Sequence, residues 1–370
     1  MLSKGFEVEV YTATPQGEVV GLSHRIVRDL QGFVREPDSR NVEYTTPPFT
    51  RYEHLLIALL QPRRQLRSYL QQLGNFTILP GSTIPLWHRE EFLRSDPHNP
   101  YHTYIEQTYG TRVVTASIHI NIGIPDTETL IRACRIIRLE APLYLALSAS
   151  SPFFRGEVTG FHSSRWQMFP KTPRIVPLFR SHQHYIDWTN EQLALGTMQN
   201  VRHLWSSVRP NGANRPYDLN RLELRICDLV IDPTHLLAIT ALLEGRIQQI
   251  IHSNLDVDSC FTFDELVQIS DRNERMAAIS SLDSQLIHWQ TGETTLARDW
   301  IKNLYEQVYP ILKEWGAVCF LTPLLKILEQ GNEAQRWLKQ IEQGLTIPEV
   351  VQQSIVDAAN QEAQLADLLL

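Results

Sequence analysis

The segment Gly5-Phe6-Glu7-Val8-Glu9-Val10-Tyr11 constrains the fold more than any other stretch of the chain. Side chains alternate across a β-strand, so Phe6, Val8 and Val10 share one face while Glu7 and Glu9 share the other. A strand patterned this way belongs in a sheet with one buried apolar face and one polar face. Two carboxylates on the polar face repel unless they point into water or hold a cation between them. Alone, the pair fits a solvated sheet edge; whether it has partners depends on later segments.

Two later segments repeat the device. In Ser117-Ile118-His119-Ile120-Asn121-Ile122 the isoleucines take one face, and Ser117, His119 and Asn121 take the other. In Leu222-Glu223-Leu224-Arg225-Ile226 the apolar residues again alternate with Glu223 and Arg225. Taken singly, a strand histidine is usually a hydrogen-bonded structural residue, and Glu-x-Arg is usually a cross-strand ion pair. Taken together, the segments predict one sheet face that collects Glu7, Glu9, His119, Asn121, Glu223 and Arg225. Such a face suits a cation. Carboxylate oxygens without paired cysteines favour Mg²⁺ or Mn²⁺ over structural zinc, and Mg²⁺ commonly bridges protein carboxylates to substrate phosphates.

Composition narrows the class. A chain of 370 residues with 43% hydrophobic and 20% charged residues can bury a large core, and it is neither disordered nor fibrous. The net charge of -7 is unevenly spread: residues 231–370 carry 20 acidic and 9 basic side chains, leaving the first 230 residues at +4. The first part is the better host for an anionic substrate, but so small an excess excludes a nucleic-acid surface. Cys134, Cys227, Cys260 and Cys319 are too far apart in sequence for a C-x-x-C pair, so reduced thiols in a cytoplasmic protein are expected. The N-terminus has no apolar signal core, and the apolar run from Ala141 to Phe154 is too short to cross a bilayer. A soluble cytoplasmic protein without membrane or nucleic-acid partners is expected. Trp337 and the terminal Leu368-Leu369-Leu370 leave a homo-oligomer open.

Local patterns predict a hairpin partner for the first strand over Gly17 to Val27, and an extended piece over Asn41 to Thr46. They predict a helix from a Thr50-x-x-Glu53 capping box to about Leu73, kinked or divided at Pro62. A His- and Pro-rich loop spans Pro80 to Pro100, a strand spans Arg112 to Gly123, and Asp126 caps a helix to about Arg138. A second helix covers Ala141 to Ser150 and is followed by a loop system to His182. Thr189 opens a further helix, Ser206 to Leu219 is a loop, and Arg221 to Val230 is a strand. Helix starts at Asp232-Pro233, Thr262 with Glu265, and Thr322-Pro323 then make the remainder a helical layer. Early strands and late helices favour an α+β fold: an antiparallel sheet with an open polar catalytic face, packed by helices. It is expected to form one domain over residues 1–370, with the sheet and active-site part in 1–230 and the helical layer in 231–370.

The motifs carry a resemblance. They are Gly-x-Glu-x-Glu at Gly5 to Glu9, Val-Glu-Tyr-Thr-Thr-Pro at Val42 to Pro47, and Ile-His-Ile-Asn-Ile-Gly at Ile118 to Gly123. Further along come Leu145 to Phe153, Thr-Gly-x-x-Ser-x-Arg at Thr159 to Arg165, Trp-x-x-x-Arg-Pro at Trp205 to Pro210, and Glu223 to Asp228. In this set and order the chain resembles glutamate–cysteine ligase family 2, carboxylate–amine ligases with a glutamine synthetase-like catalytic fold, and is most similar to the cyanobacterial type. The match covers about residues 1–230, and the helical remainder adds little to it.

The resemblance implies roles. Glu7, His119 and Glu223 would hold one Mg²⁺, and Glu9 with Glu43 another. Arg225 would face the transferring phosphoryl group, Arg165 and Arg209 would bind substrate or phosphate, and Asn121 would contact substrate. Gly160 and Ser163 would shape the same loop. The implied reaction joins the γ-carboxylate of glutamate to the amine of cysteine through a γ-glutamyl phosphate, using ATP as co-substrate in the first step of glutathione synthesis. Because carboxylate oxygen is a poor leaving group, phosphorylation must activate it, and phosphoryl transfer needs charge neutralisation and alignment more than a dedicated nucleophile. The chain has no G-x-x-x-x-G-K-[ST] loop, so metals and arginines would hold the nucleotide. Another acid and amine pair, or a catalytically silent metabolite-binding relative, remain the alternatives. No residue stands out as the base for the amine; Tyr217, Asp218 and Asp228 are merely near in sequence.

Overall fold

The computed structural model describes the chain except residues 91, 254 and 370 and the side chains of 368 and 369, so the terminal leucines named above lie largely outside the described residues. The strands in chain order are β1 (Lys4–Ala13), β2 (Phe33–Arg35), β3 (Asn41–Thr45), β4 (Thr77–Leu79), β5 (Ile118–Gly123), β6 (Phe153–Phe154), β7 (Glu157–Val158), β8 (Val208–Asn211), β9 (Arg221–Leu224), β10 (Gln285–Ile287) and β11 (Thr294–Leu296). Seven of them form an antiparallel sheet in the order β2-β3-β1-β5-β9-β8, with β4 paired to the far end of β1. The helices are α1 (Ser23–Asp29), α2 (Tyr52–Gly74), α3 (Pro100–Tyr109), α4 (Thr127–Ser148), α5 (Ser164–Met168), α6 (His182–Ala194), α7 (Pro233–His252), α8 (Phe263–Ser280), α9 (Ala297–Glu314), α10 (Val318–Leu321), α11 (Pro323–Gln330), α12 (Glu333–Glu342) and α13 (Ile347–Leu369). The α+β expectation holds.

The alternation read from the sequence sets the layers. Phe6, Val8, Val10, Ile118, Ile120, Ile122, Leu222 and Leu224 are all buried on the back of the sheet, where each contributes about 1.5–3 kcal/mol by leaving water. Helices α2 and α4 cover that face, and α7, α8 and α9 pack outside them. The polar face is left open.

Several local expectations are corrected. Residues Gly17 to Val27 do not form a full hairpin strand: Val19 bridges to Ala13, and α1 begins at Ser23. The Thr50 capping box is not made; α2 starts one residue after Arg51, runs through Pro62, and ends at Asn75 in the left-handed conformation. Residues 127–148 form one helix rather than two. Pro142 lacks an N–H for the carbonyl of Arg138, and Ser270 Oγ on α8 donates to that carbonyl instead, at 3.1 Å. The Thr189 box lies inside α6, which starts at an Ser181 cap. The caps at Asp126, Asp232 and Thr262 form as expected.

Candidate active site

Strand register assembles the polar face. Glu9 lies directly opposite Glu43, Glu7 opposite His119, and Glu223 is flanked by Asn121 on β5 and Arg209 on β8. The face therefore grades from carboxylates on β3 and β1, through His119 and Glu223, to arginines on β9 and β8. It floors a chamber of about 880 Å³, within the range of ligand clefts. Glu7, Glu9, Glu43, His119, Arg165, Arg209 and Arg225 line the chamber, and Glu223 lies fully buried just beneath.

One cluster holds Glu7, His119 and Glu223, whose ligating atoms lie within 4.8 Å of one another. His119 Nδ1 is 2.9 Å from Glu7 Oε2 and 3.6 Å from Glu223 Oε1. Asn121 Nδ2 donates to the other Glu7 oxygen at 3.1 Å, so Asn121 steadies a carboxylate of the face. Glu223 accepts from Arg209 Nε at 2.7 Å, Arg209 Nη2 at 3.1 Å, Arg225 Nη1 at 2.5 Å and Asn211 Nδ2 at 2.6 Å. Burial works against its ionisation, but the two guanidinium groups outweigh it and hold the carboxyl well below the usual range. Its charge is balanced within the protein.

The second cluster is not balanced. Glu9, Glu36 and Glu43 bring three carboxylates within 4.8 Å. Ser117 Oγ donates to Glu9 Oε2 at 2.9 Å and lies 3.2 Å from His119 Nε2, which links the two clusters. Burial, then the charges of Glu9 and Glu7, push Glu43 up to about 8; burial, then Glu9 and Glu43, raise Glu36 well above the carboxylate range. Three oxygen donors in mutual repulsion fit a hard divalent cation, which would replace the protons that now relieve that repulsion. Glu43 is thus placed beside Glu9, and Glu36 joins them.

The remaining motif residues brace the floor, Arg165 from the chamber wall and Asp228 from behind. Arg165 donates to the carbonyls of Ile226 and Arg225, both at 3.1 Å, and so holds the chain end that carries Arg225. Asp228 is buried and accepts from Ser150 N at 2.9 Å, Ser151 Oγ at 2.6 Å and Ser163 Oγ at 2.8 Å. It pins the segment after α4 and the start of α5 beneath the chamber. Tyr217 is exposed and donates to Asn190 at 3.3 Å.

Sequence reasoning missed Glu36, β8, Arg215 and helix α3. Glu36 follows the three-residue β2 and precedes Pro37, so no periodicity marks it. Helix α3 starts where the expected loop ends, in a stretch the sequence left unassigned; it places Tyr101, His102 and Ile105 on the chamber, which Phe169 and Trp205 also line.

Comparison with known proteins places this geometry. The model of glutamate–cysteine ligase family 2 matches residues 3–360. The chain belongs to glutamate–cysteine ligase family 2. Among curated relatives, the "Putative glutamate–cysteine ligase 2" of Herpetosiphon aurantiacus is 29% identical over 273 residues, 73% of this chain and 68% of that protein. The protein of the same name from Solibacter usitatus is 29% identical over 283 residues, 75% of this chain and 71% of that one. Among solved structures, a bifunctional glutathione synthetase from Pasteurella multocida superposes with a TM-score of 0.74 at 17% identity, over 98% of this chain and 52% of that one. This chain therefore spans about half the length of the Pasteurella protein. A glutamate–cysteine ligase from Francisella tularensis, solved in complex with AMP, gives a TM-score of 0.67 at 13% identity, over 100% of this chain and 95% of its own. The family match extends well past residue 230, so the helical layer belongs to the family architecture as much as the sheet does. Among the described residues, no helix is long and apolar enough to cross a membrane.

Proposed function

We propose that this member of the family is an ATP-dependent carboxylate–amine ligase that joins the γ-carboxylate of glutamate to the amine of cysteine, giving γ-glutamylcysteine, ADP and phosphate. The observation that carries the reading is the pair of donor clusters side by side on one sheet floor, next to strands bearing arginines. Divalent cations, Mg²⁺ or Mn²⁺, held by Glu7, His119 and Glu223 and by Glu9, Glu36 and Glu43, would neutralise the phosphate oxygens of ATP.

The residues of the chain then divide the work. Arg225, fixed by Glu223 and by the grip of Arg165 on its carbonyl, faces the transferring phosphoryl group and offsets its charge. A γ-carboxylate oxygen of glutamate attacks the terminal phosphorus and ADP leaves. The neutral amine of cysteine next attacks the acyl carbon and phosphate leaves, carrying off the proton that the nitrogen loses, so an amide forms as the acyl phosphate breaks. Tyr101, Ile105, Phe169 and Trp205, which line the chamber, would shield the acyl phosphate from hydrolysis. Arg209 acts through Glu223, whose carboxylate it orients with both of its adjacent nitrogens. A cytoplasmic place for the protein fits these substrates. The test is phosphate release from ATP across a panel of acids and amines. Release requiring glutamate, cysteine and a divalent cation is expected; release with glutamate that is indifferent to every amine would overturn the reading.

A further inference from the structure

The arginines at the positive end of the chamber differ in what their nitrogens already hold. Arg209 donates to Glu223 and to the carbonyls of Arg202 and Leu204. Arg165 holds two backbone carbonyls, and Arg221 donates to Asn121 and Asn220. Arg225 is held by Glu223. Arg215 also lines the chamber but has no hydrogen bond or ion pair among the described residues, and its Nη1 is buried without a partner. Burial presses against its cationic form, and the like charges of Arg225 and Arg221 add to that; the pull of Glu223 and Tyr185, stronger than theirs, does not outweigh the whole. A half-buried guanidinium kept without an anion is costly unless an anion arrives.

The loop that presents Arg215 is rigid. Gly212 passes so close to Asp218 that an added Cβ would lie 1.9 Å from its carbonyl oxygen. Tyr217 and Asp218 donate their N–H groups to the Asn214 carbonyl, Asn220 N donates to Asn211 O at 3.0 Å, and Asn211 itself donates to Glu223. The loop thus joins β8 to β9 at the edge of the sheet remote from Glu43 of β3 and from Glu36, which follows β2.

We propose that Arg215 binds the α-carboxylate of the acidic amino-acid substrate and so selects an acid bearing a second carboxylate. This rests on the ligase reading above. The nucleotide phosphates belong over the donor clusters, and the γ-carboxylate must meet them there. The carbon chain of the acid then carries its α-carboxylate away from the clusters, towards the β8 edge, where Arg215 offers adjacent donors suited to a bidentate carboxylate contact.

The test is calorimetric binding to the full chain, with Mg²⁺ and a non-hydrolysable ATP analogue present, of glutamate and of γ-aminobutyrate, which lacks the α-carboxylate. Wild type is expected to prefer glutamate, and Arg215→Gln to lose about tenfold to a hundredfold in glutamate affinity while barely changing for γ-aminobutyrate. Arg215→Lys should recover part of the loss, and all variants should keep the wild-type melting temperature and nucleotide affinity. Unchanged glutamate binding in Arg215→Gln would overturn the proposal and leave the ligase reading intact. Loss of nucleotide affinity instead would also overturn it, making Arg215 a phosphate contact. If wild type binds no glutamate, the glutamate assignment fails; Arg215-dependent binding of another dicarboxylic amino acid would still support the anchor, and binding of none would overturn it.

Discussion

At the scale of residues, the second carboxylate cluster makes an unusual demand. Glu43→Gln removes one of three repelling carboxylates, so without divalent cations it should raise the melting temperature, while abolishing the stabilisation that Mg²⁺ or Mn²⁺ gives the wild type. The pH sign follows from the same repulsion. Glu43 is raised to about 8 in the folded chain, so the folded state binds the extra proton between the ordinary carboxylate range and that value. Stability of the metal-free protein should therefore fall as pH rises from about 4.5 to about 8, and Glu43→Gln should flatten that slope in thermal melts. Ser117 bridges Glu9 and His119, so Ser117→Ala should lower metal affinity and turnover about 10–100-fold with little change in melting temperature. The alternating strands made Glu7, Glu9, His119 and Glu223 legible in the sequence, because a period of two puts them on one face whatever surrounds them. Glu36 and Arg215 were not legible: each lies outside any strand or helix, and only tertiary packing brings it to the chamber.

At the scale of elements, the differences from the sequence pattern trace to partners far away in the chain. The spacing around Pro142 reads as a helix break, yet α4 is continuous because Ser270 satisfies the carbonyl that proline leaves open. Ser270→Ala should destabilise by about 1–3 kcal/mol by stranding that carbonyl. Adding Pro142→Ala should recover part of the loss, since the new N–H reaches the same oxygen; chemical denaturation of both variants checks the non-additivity. Strand β8 was hidden by its own sequence, Val-Arg-Pro-Asn. Proline is tolerated in a sheet at an edge, and β8 is the edge strand. The capped helices at Asp126, Asp232 and Thr262 were legible because caps are local chemistry.

At the scale of the whole molecule, the charge asymmetry and the chamber agree: the cavity is lined by residues between Glu7 and Arg225, within the part of the chain that carries net positive charge. The acidic helical layer supports the sheet from behind through buried polar links. Lys4 at the start of β1 pairs with Glu244 of α7 at 3.1 Å, with both side chains fully buried, and Tyr52 of α2 donates to the same carboxylate at 2.5 Å. Lys4→Met should cost about 3–5 kcal/mol by leaving that carboxylate without its cation, measured by denaturant unfolding. We propose that sheet and helical layer unfold together as one domain, so fluorescence and circular dichroism should report coincident transitions. The most direct measurement of the central claim is steady-state phosphate release from ATP by the wild-type chain. Release that needs glutamate, cysteine and Mg²⁺ or Mn²⁺ together, and that falls to background on chelation, is the expected result. ATP turnover indifferent to the cation, or no cysteine-dependent release at saturating glutamate, would contradict it.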